Sequence, residues 1–163
     1  MSAAPRVLVI GVGTPERGAD AAGRLVADRL QAEPPAGVAV LGLRGDALTL
    51  MEAWAGAEAV VLVDAVVTGA PPGSVHRFDA SERALPARLN GTSSHDLGLA
   101  EAVELSRALA SLPRRVIVIG IEGDDFSAGA PLSPPLRAAI DTAAARAAGE
   151  ARALAAMEDT SDA

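Results

Sequence analysis

Three residues far apart along the chain have the types that can do chemistry together: Asp20, Asp64 and His95. Asp64 is the most telling. It interrupts the most apolar stretch, Ala59-Val60-Val61-Leu62-Val63-Asp64-Ala65-Val66-Val67. That stretch reads as a buried parallel strand with the carboxylate at its C-terminal end. An unpaired ionised carboxylate there costs several kcal/mol, so a chain that keeps it either pairs it or uses it. Asp20 follows the first strand, and His95 falls in a loop before a helix. Two carboxylates and one imidazole make a hard-to-borderline metal site.

Each residue alone also has a plainer reading. Asp20 suits the first turn of a helix, where the macrodipole favours an acid. Asp64 can cap a neighbouring backbone turn. His95, in Thr92-Ser93-Ser94-His95-Asp96-Leu97-Gly98-Leu99, can bond a cap or a backbone carbonyl. Ser93 or Ser94 is the expected N-cap of the helix that follows. The dipole would then keep the His95 ring neutral, as a metal ligand must be. His76 alternates with Val75 and Phe78 and is expected to face solvent, without a role. Asp124-Asp125 beside Gly123 reads as a solvated turn.

The elements that must position these residues alternate between strand and helix. Val7 to Ile10, Val38 to Leu43, Ala59 to Val66, Val75 to Phe78 and Arg115 to Ile121 read as strands. Ala19 to Leu30, Ala47 to Trp54 and Asp96 to Leu112 read as helices. A last helix runs from Ser133 as N-cap, with Pro in its first turn, to about Met157. Asp79 to Ser93 looks irregular. The pattern predicts an α/β fold, a three-layer α/β/α sandwich around a mostly parallel, about five-stranded twisted sheet. In such sheets ligands bind outside the carboxyl ends of the strands. Asp20, Asp64, His95 and the segment Glu122 to Asp125 can all lie on that rim.

At 163 residues the chain suits one α/β domain, with residues 1–5 and 158–163 frayed. All 14 basic residues are Arg, and the net charge of −7 argues against a nucleic-acid partner. Cysteine is absent, which excludes disulfides, thiolate metal sites and a Cys nucleophile. Met1 to Arg6 lacks the regions of a signal peptide, and no apolar run reaches the ~20 residues that span a bilayer. A soluble, cytoplasmic, monomeric protein without a membrane partner is the default.

Competing motifs fit poorly. The loop Gly11-Val12-Gly13-Thr14-Pro15-Glu16-Arg17-Gly18 has Glu16 where a dinucleotide fingerprint needs its third Gly. Pro15 offers a phosphate no N–H, and Glu16 would repel it. Arg44 leaves only a narrow NADP variant. The phosphate-loop motif is absent. Ser93, Ser94, His95 and Asp64 offer the residue types of a serine hydrolase, but no G-x-S-x-G elbow is present.

Four ordered elements together resemble the hydrogenase maturation proteases. The first is Val9-Ile10-Gly11-Val12-Gly13 with Arg17-Gly18-Ala19-Asp20-Ala21-Ala22-Gly23, and the second is Val63-Asp64-Ala65. The third is Ser94-His95-Asp96-Leu97-Gly98-Leu99. The fourth is Gly120-Ile121-Glu122, then Gly129, then Leu132-Ser133-Pro134. The resemblance runs from Val7 to about Ile140. Proteins of that family trim the C-terminal extension from the large subunit of nickel–iron hydrogenases.

The resemblance implies that Asp20, Asp64 and His95 contact nickel and carry the cleavage. It implies that nickel is presented by the substrate rather than held permanently, and that the partner is the large-subunit precursor. The chain departs from the family pattern at Thr14, at Ala19 and in Gly42-Leu43-Arg44-Gly45-Asp46-Ala47. The last of these leaves the particular target open. A non-cleaving, nickel-dependent checkpoint protein for the large subunit is the alternative, and an unrelated α/β hydrolase is a third reading.

Overall fold

The structure, a computed structural model, describes residues 6–85 and 98–161, with the backbone alone for 158–161. Strands β1 (Val7–Val12), β2 (Val38–Leu43), β3 (Ala59–Val66), β4 (Val75–Asp79) and β5 (Arg115–Glu122) form one sheet in the order β2-β1-β3-β5-β4. All neighbours are parallel except β4, which runs antiparallel to β5. The expected α/β class and five-stranded, mostly parallel sheet are what the chain forms.

The central strands read as unbroken apolar runs because both faces are covered. One face carries α1 (Ala22–Ala32) and α4 (Pro134–Ser161), which bury Val26, Leu30, Leu136 and an alanine row against Val9, Val61, Val63 and Ile119. The other carries α2 (Ala47–Trp54) and α3 (Leu99–Ala108), which bury Leu50, Trp54, Leu99 and Val103 against Ile10, Leu62 and Val118. Helices before and after β2 fall on opposite faces, as right-handed crossovers require when the order reverses.

Several boundaries differ from expectation. β1 runs two residues further, to Val12. The first helical segment is split into a 3-10 turn, Gly18–Ala21, and α1. α3 starts at Leu99, not Asp96, and ends at Ala108. α4 continues past Met157 to Ser161. Ser133 precedes it as expected, but its hydroxyl is buried with no hydrogen-bond partner. Pro134 and Pro135 remove two of the N–H groups a cap would serve. Among the described residues, no helix is long and apolar enough to cross a membrane.

Candidate functional site

The strand order turns back between β1 and β3: β1 leads to β2 on one side, and β3 continues the sheet on the other. In doubly wound sheets this switch point opens the crevice where ligands bind. Asp20 and Asp64 flank it.

Asp20 reaches this place through close packing. A Cβ on Gly23 would lie 2.2 Å from the Val12 carbonyl oxygen and 2.4 Å from that of Val63. One on Gly11 would lie 2.1 Å from the Gly23 carbonyl oxygen. Only glycine lets the start of α1 sit this close to the strands, and the 3-10 turn bearing Asp20 is thereby set over the β1–β3 seam. Thr14 N–H donates to both the Asp20 carboxylate and the Asp20 carbonyl, each at 3.2 Å. The segment after β5 braces the loop from behind. Ala19 N–H donates to Asp125 O at 2.7 Å, Gly18 N–H to Ala130 O at 3.0 Å, and Gly129 N–H to Glu16 O at 2.7 Å. Glu16 itself holds φ 63°, which is uncommon for a residue with a side chain.

Asp64 lies near the C-terminal end of β3, two residues before its last, where the strand Ala59 to Val66 was expected to carry it, and is 8% exposed. Its side chain shares the α2/α3 face with Val60 and Leu62. Oδ1 accepts the N–H of Ala65 at 2.8 Å, and no ion pair to it exists among the described residues. Burial pushes its carboxyl well above the usual carboxylate range. The Asp20 charge pushes the same way, and the Ala65 N–H opposes both more weakly. The two acids are thus close enough to act on one another.

His95 lies outside the described residues. The helix it precedes takes Gly98 as its N-cap, not Ser93 or Ser94. Glu101 sets that start: its Oε2 accepts the Gly98 N–H at 2.9 Å from the third helical position. Among the described residues no group of three His, Cys, Asp or Glu side chains forms a metal cluster. The third donor of the expected set therefore rests on His95. Asp124 and Asp125 form the turn expected of them, and Asp125 Oδ1 accepts the Ser127 N–H at 2.9 Å.

A second buried acid, Glu122, was expected on the rim but given no role. Glu122 closes β5 and is 1% exposed. It accepts Thr68 N–H at 2.8 Å, the Thr68 hydroxyl at 2.5 Å and His76 Nε2 at 3.1 Å. Burial works against its charge, yet these bonds, with the Gly69 N–H, hold its carboxyl below the usual range. The expectation that His76 faces solvent is corrected. It shares a face with Phe78, the two ring centres being 6.0 Å apart, and Glu122 orients its ring. The available signal was the one that marks Asp64: an acid closing an apolar strand.

The doubly wound sheet, with Asp20 and Asp64 beside its switch point, defines an α/β protein with a candidate site at the carboxyl ends of its strands. The model of the hydrogenase maturation protease family matches residues 25–150, a range that begins after Asp20 and includes Asp64 and His95. The chain belongs to this family. It is 28% identical over 148 residues to the hydrogenase expression/formation protein HupD of Thiocapsa roseopersicina; the match covers 88% of this chain and 66% of HupD. This chain therefore spans about two thirds of that curated relative. The fold is similar to that of the hydrogenase maturating endopeptidase HybD from E. coli, with TM-score 0.75 and 24% identity, over 95% of this chain and 93% of that one. It is also similar to the [NiFe] hydrogenase maturation protease HycI from Thermococcus kodakarensis, with TM-score 0.70 and 22% identity, over 89% and 91%.

Proposed function

We propose that this chain is an endopeptidase that removes the C-terminal extension from the large-subunit precursor of a nickel–iron hydrogenase once nickel is loaded. The observation that carries this reading is Asp64, a buried carboxyl at the switch point raised first by burial and then by the charge of Asp20, in a chain of this family. The two acids lose their repulsion when a dication sits beside both. With His95 the donor set is two oxygens and a nitrogen, which suits a divalent borderline ion.

Nickel arrives with the substrate, so docking reads whether insertion has occurred. Held by these donors, the ion would either polarise the scissile carbonyl or serve only as the recognition element, leaving the proton transfer to Asp20 or Asp64. A water oxygen adds to the carbonyl carbon, one of the two carboxylates takes the water's proton, the C–N bond breaks and the departing amine is protonated. A carboxyl held above its usual range, as Asp64 is, is the better proton acceptor near neutral pH.

The test is incubation of nickel-loaded and nickel-free precursor with the protein, followed by mass measurement. The precursor should lose its extension only when loaded. Asp64→Asn and His95→Ala should abolish trimming while circular dichroism stays native. Wild-type-like cleavage by both variants would remove the site from the reading. Tight, nickel-dependent binding without mass loss would make the protein a checkpoint instead.

A further inference from the structure

Arg24 is a partly buried guanidinium with no carboxylate paired to it among the described residues. It lies on α1, four residues after Asp20, across the carboxyl ends of β1 and β2. Its Nη1 donates to Gly13 O at 3.5 Å, the long limit of a hydrogen bond. A Cβ on Gly42 would lie 2.8 Å from its Nε, and one on Gly13 would lie 3.6 Å from its Cγ. The side chain thus occupies room that a glycine at the end of β2 leaves open. Helical spacing offers it two ion-pair partners, Asp20 four residues before and Asp28 four residues after, and it pairs with neither. The Asp20 carboxylate instead takes the Thr14 N–H, and no carboxylate among the described residues lies within 4.0 Å of Arg24. A guanidinium carries five N–H donors in a planar fork, and covering one without an acceptor is costly.

We propose that Arg24 is a binding residue that takes a carboxylate of the docking polypeptide, one strand over from the acid pair. The planar fork matches a carboxylate through two parallel bonds. A phosphate is disfavoured over a carboxylate here, because Pro15 offers it no N–H and its higher charge meets more repulsion from Glu16 and Asp20 than a single carboxylate charge does. The inference rests on the proposed function for the identity of the polypeptide, the large-subunit precursor.

The experiment measures kcat and KM for trimming of nickel-loaded precursor by wild type, Arg24→Met and Arg24→Lys, with a thermal melt of each. Loss of one charge-assisted bidentate contact should raise KM for Arg24→Met by about 10- to 100-fold, with kcat nearly unchanged. Arg24→Lys should recover only part of this, because an ammonium cannot bond in a fork. Precursors with single Asp→Asn or Glu→Gln changes flanking the cut identify the partner. One of them should raise the wild-type KM equally and have no further effect on Arg24→Met. Wild-type KM in Arg24→Met, full additivity with every precursor variant, or a loss confined to kcat together with a lowered melting temperature would each overturn the proposal. Failure of the wild type to trim or bind the precursor would instead defeat the proposed function, and this inference with it.

Discussion

Asp64 and Glu122 are both acids sealed at the carboxyl end of an apolar strand, and their surroundings push them in opposite directions. Asp64 has burial and a like charge against it, so the folded state holds its proton more tightly than the unfolded chain does. Stability then falls as pH rises from the unfolded value, about 3.9, through the raised folded value. Asp64→Asn should therefore melt higher than wild type by several degrees at pH 7 to 8. That gain should vanish below about pH 3.9, where the acid is protonated in both states. Melting curves across pH decide it; an Asn variant that is less stable at pH 8 would mean that Asp64 is paired. Glu122 gives the opposite sign. Its folded value is lowered, so its contribution is present above about pH 4.3 and fades as pH falls through the folded value. Glu122→Gln turns an amide N–H₂ or a weaker acceptor toward Thr68 and His76. It should cost roughly 1–3 kcal/mol at pH 7, with the deficit closing on acidification in the same melts.

At the scale of elements, glycine decides where Asp20 stands. Gly23→Ala drives a methyl group into the Val12 and Val63 carbonyl oxygens, so α1 must back away from the sheet. Overpacking of this kind costs about 1–3 kcal/mol. A displacement of about 1 Å at the acid pair should slow trimming by ~100-fold. Gly149→Ala is the matched control. It lies on the exposed side of α4 with nothing within 4 Å of the added Cβ, and should gain about 0.5–1 kcal/mol with trimming unchanged. Urea melts and trimming rates on the two variants check both signs. The sequence showed the strands plainly because each apolar run is closed by Gly, Pro or Asp; β2, α2 and β3 begin and end where expected. It misplaced α3 because serines look like caps, whereas Glu101 reaching back to Gly98 sets the start. The far end stops short because Ala110 turns left-handed at φ 56°. Asp64 was legible as a charge in an apolar run. Glu122 was placed on the rim, but its burial and its bonds to Thr68 and His76 were not legible, and His76 was misjudged because alternation assigns a side but not what covers it.

At the scale of the whole molecule, one sheet separates two cores, one packed on each of its faces. Ile10 on β1 belongs to the α2/α3 core, and Ile119 on β5 to the α1/α4 core. β3 lies between those strands, so the two Cα atoms sit roughly 10 Å apart along the sheet and the side chains point to opposite faces. They share no neighbour through which a cavity at one relaxes the other. Ile10→Val and Ile119→Val should each cost about 0.5–1.5 kcal/mol. The double variant should cost their sum within roughly 0.3–0.5 kcal/mol. Because both cores grip the same strands, neither should melt alone: each variant should shift a single transition, by about 2–4 °C per kcal/mol. Near-ultraviolet dichroism follows Trp54, buried on the α2/α3 face, and far-ultraviolet dichroism follows the helices of both faces. The two should report the same midpoint in every variant. Separate midpoints after Ile119→Val would mean that the α1/α4 layer, which sets the stance of Asp20, can loosen while the strand carrying Asp64 stays folded.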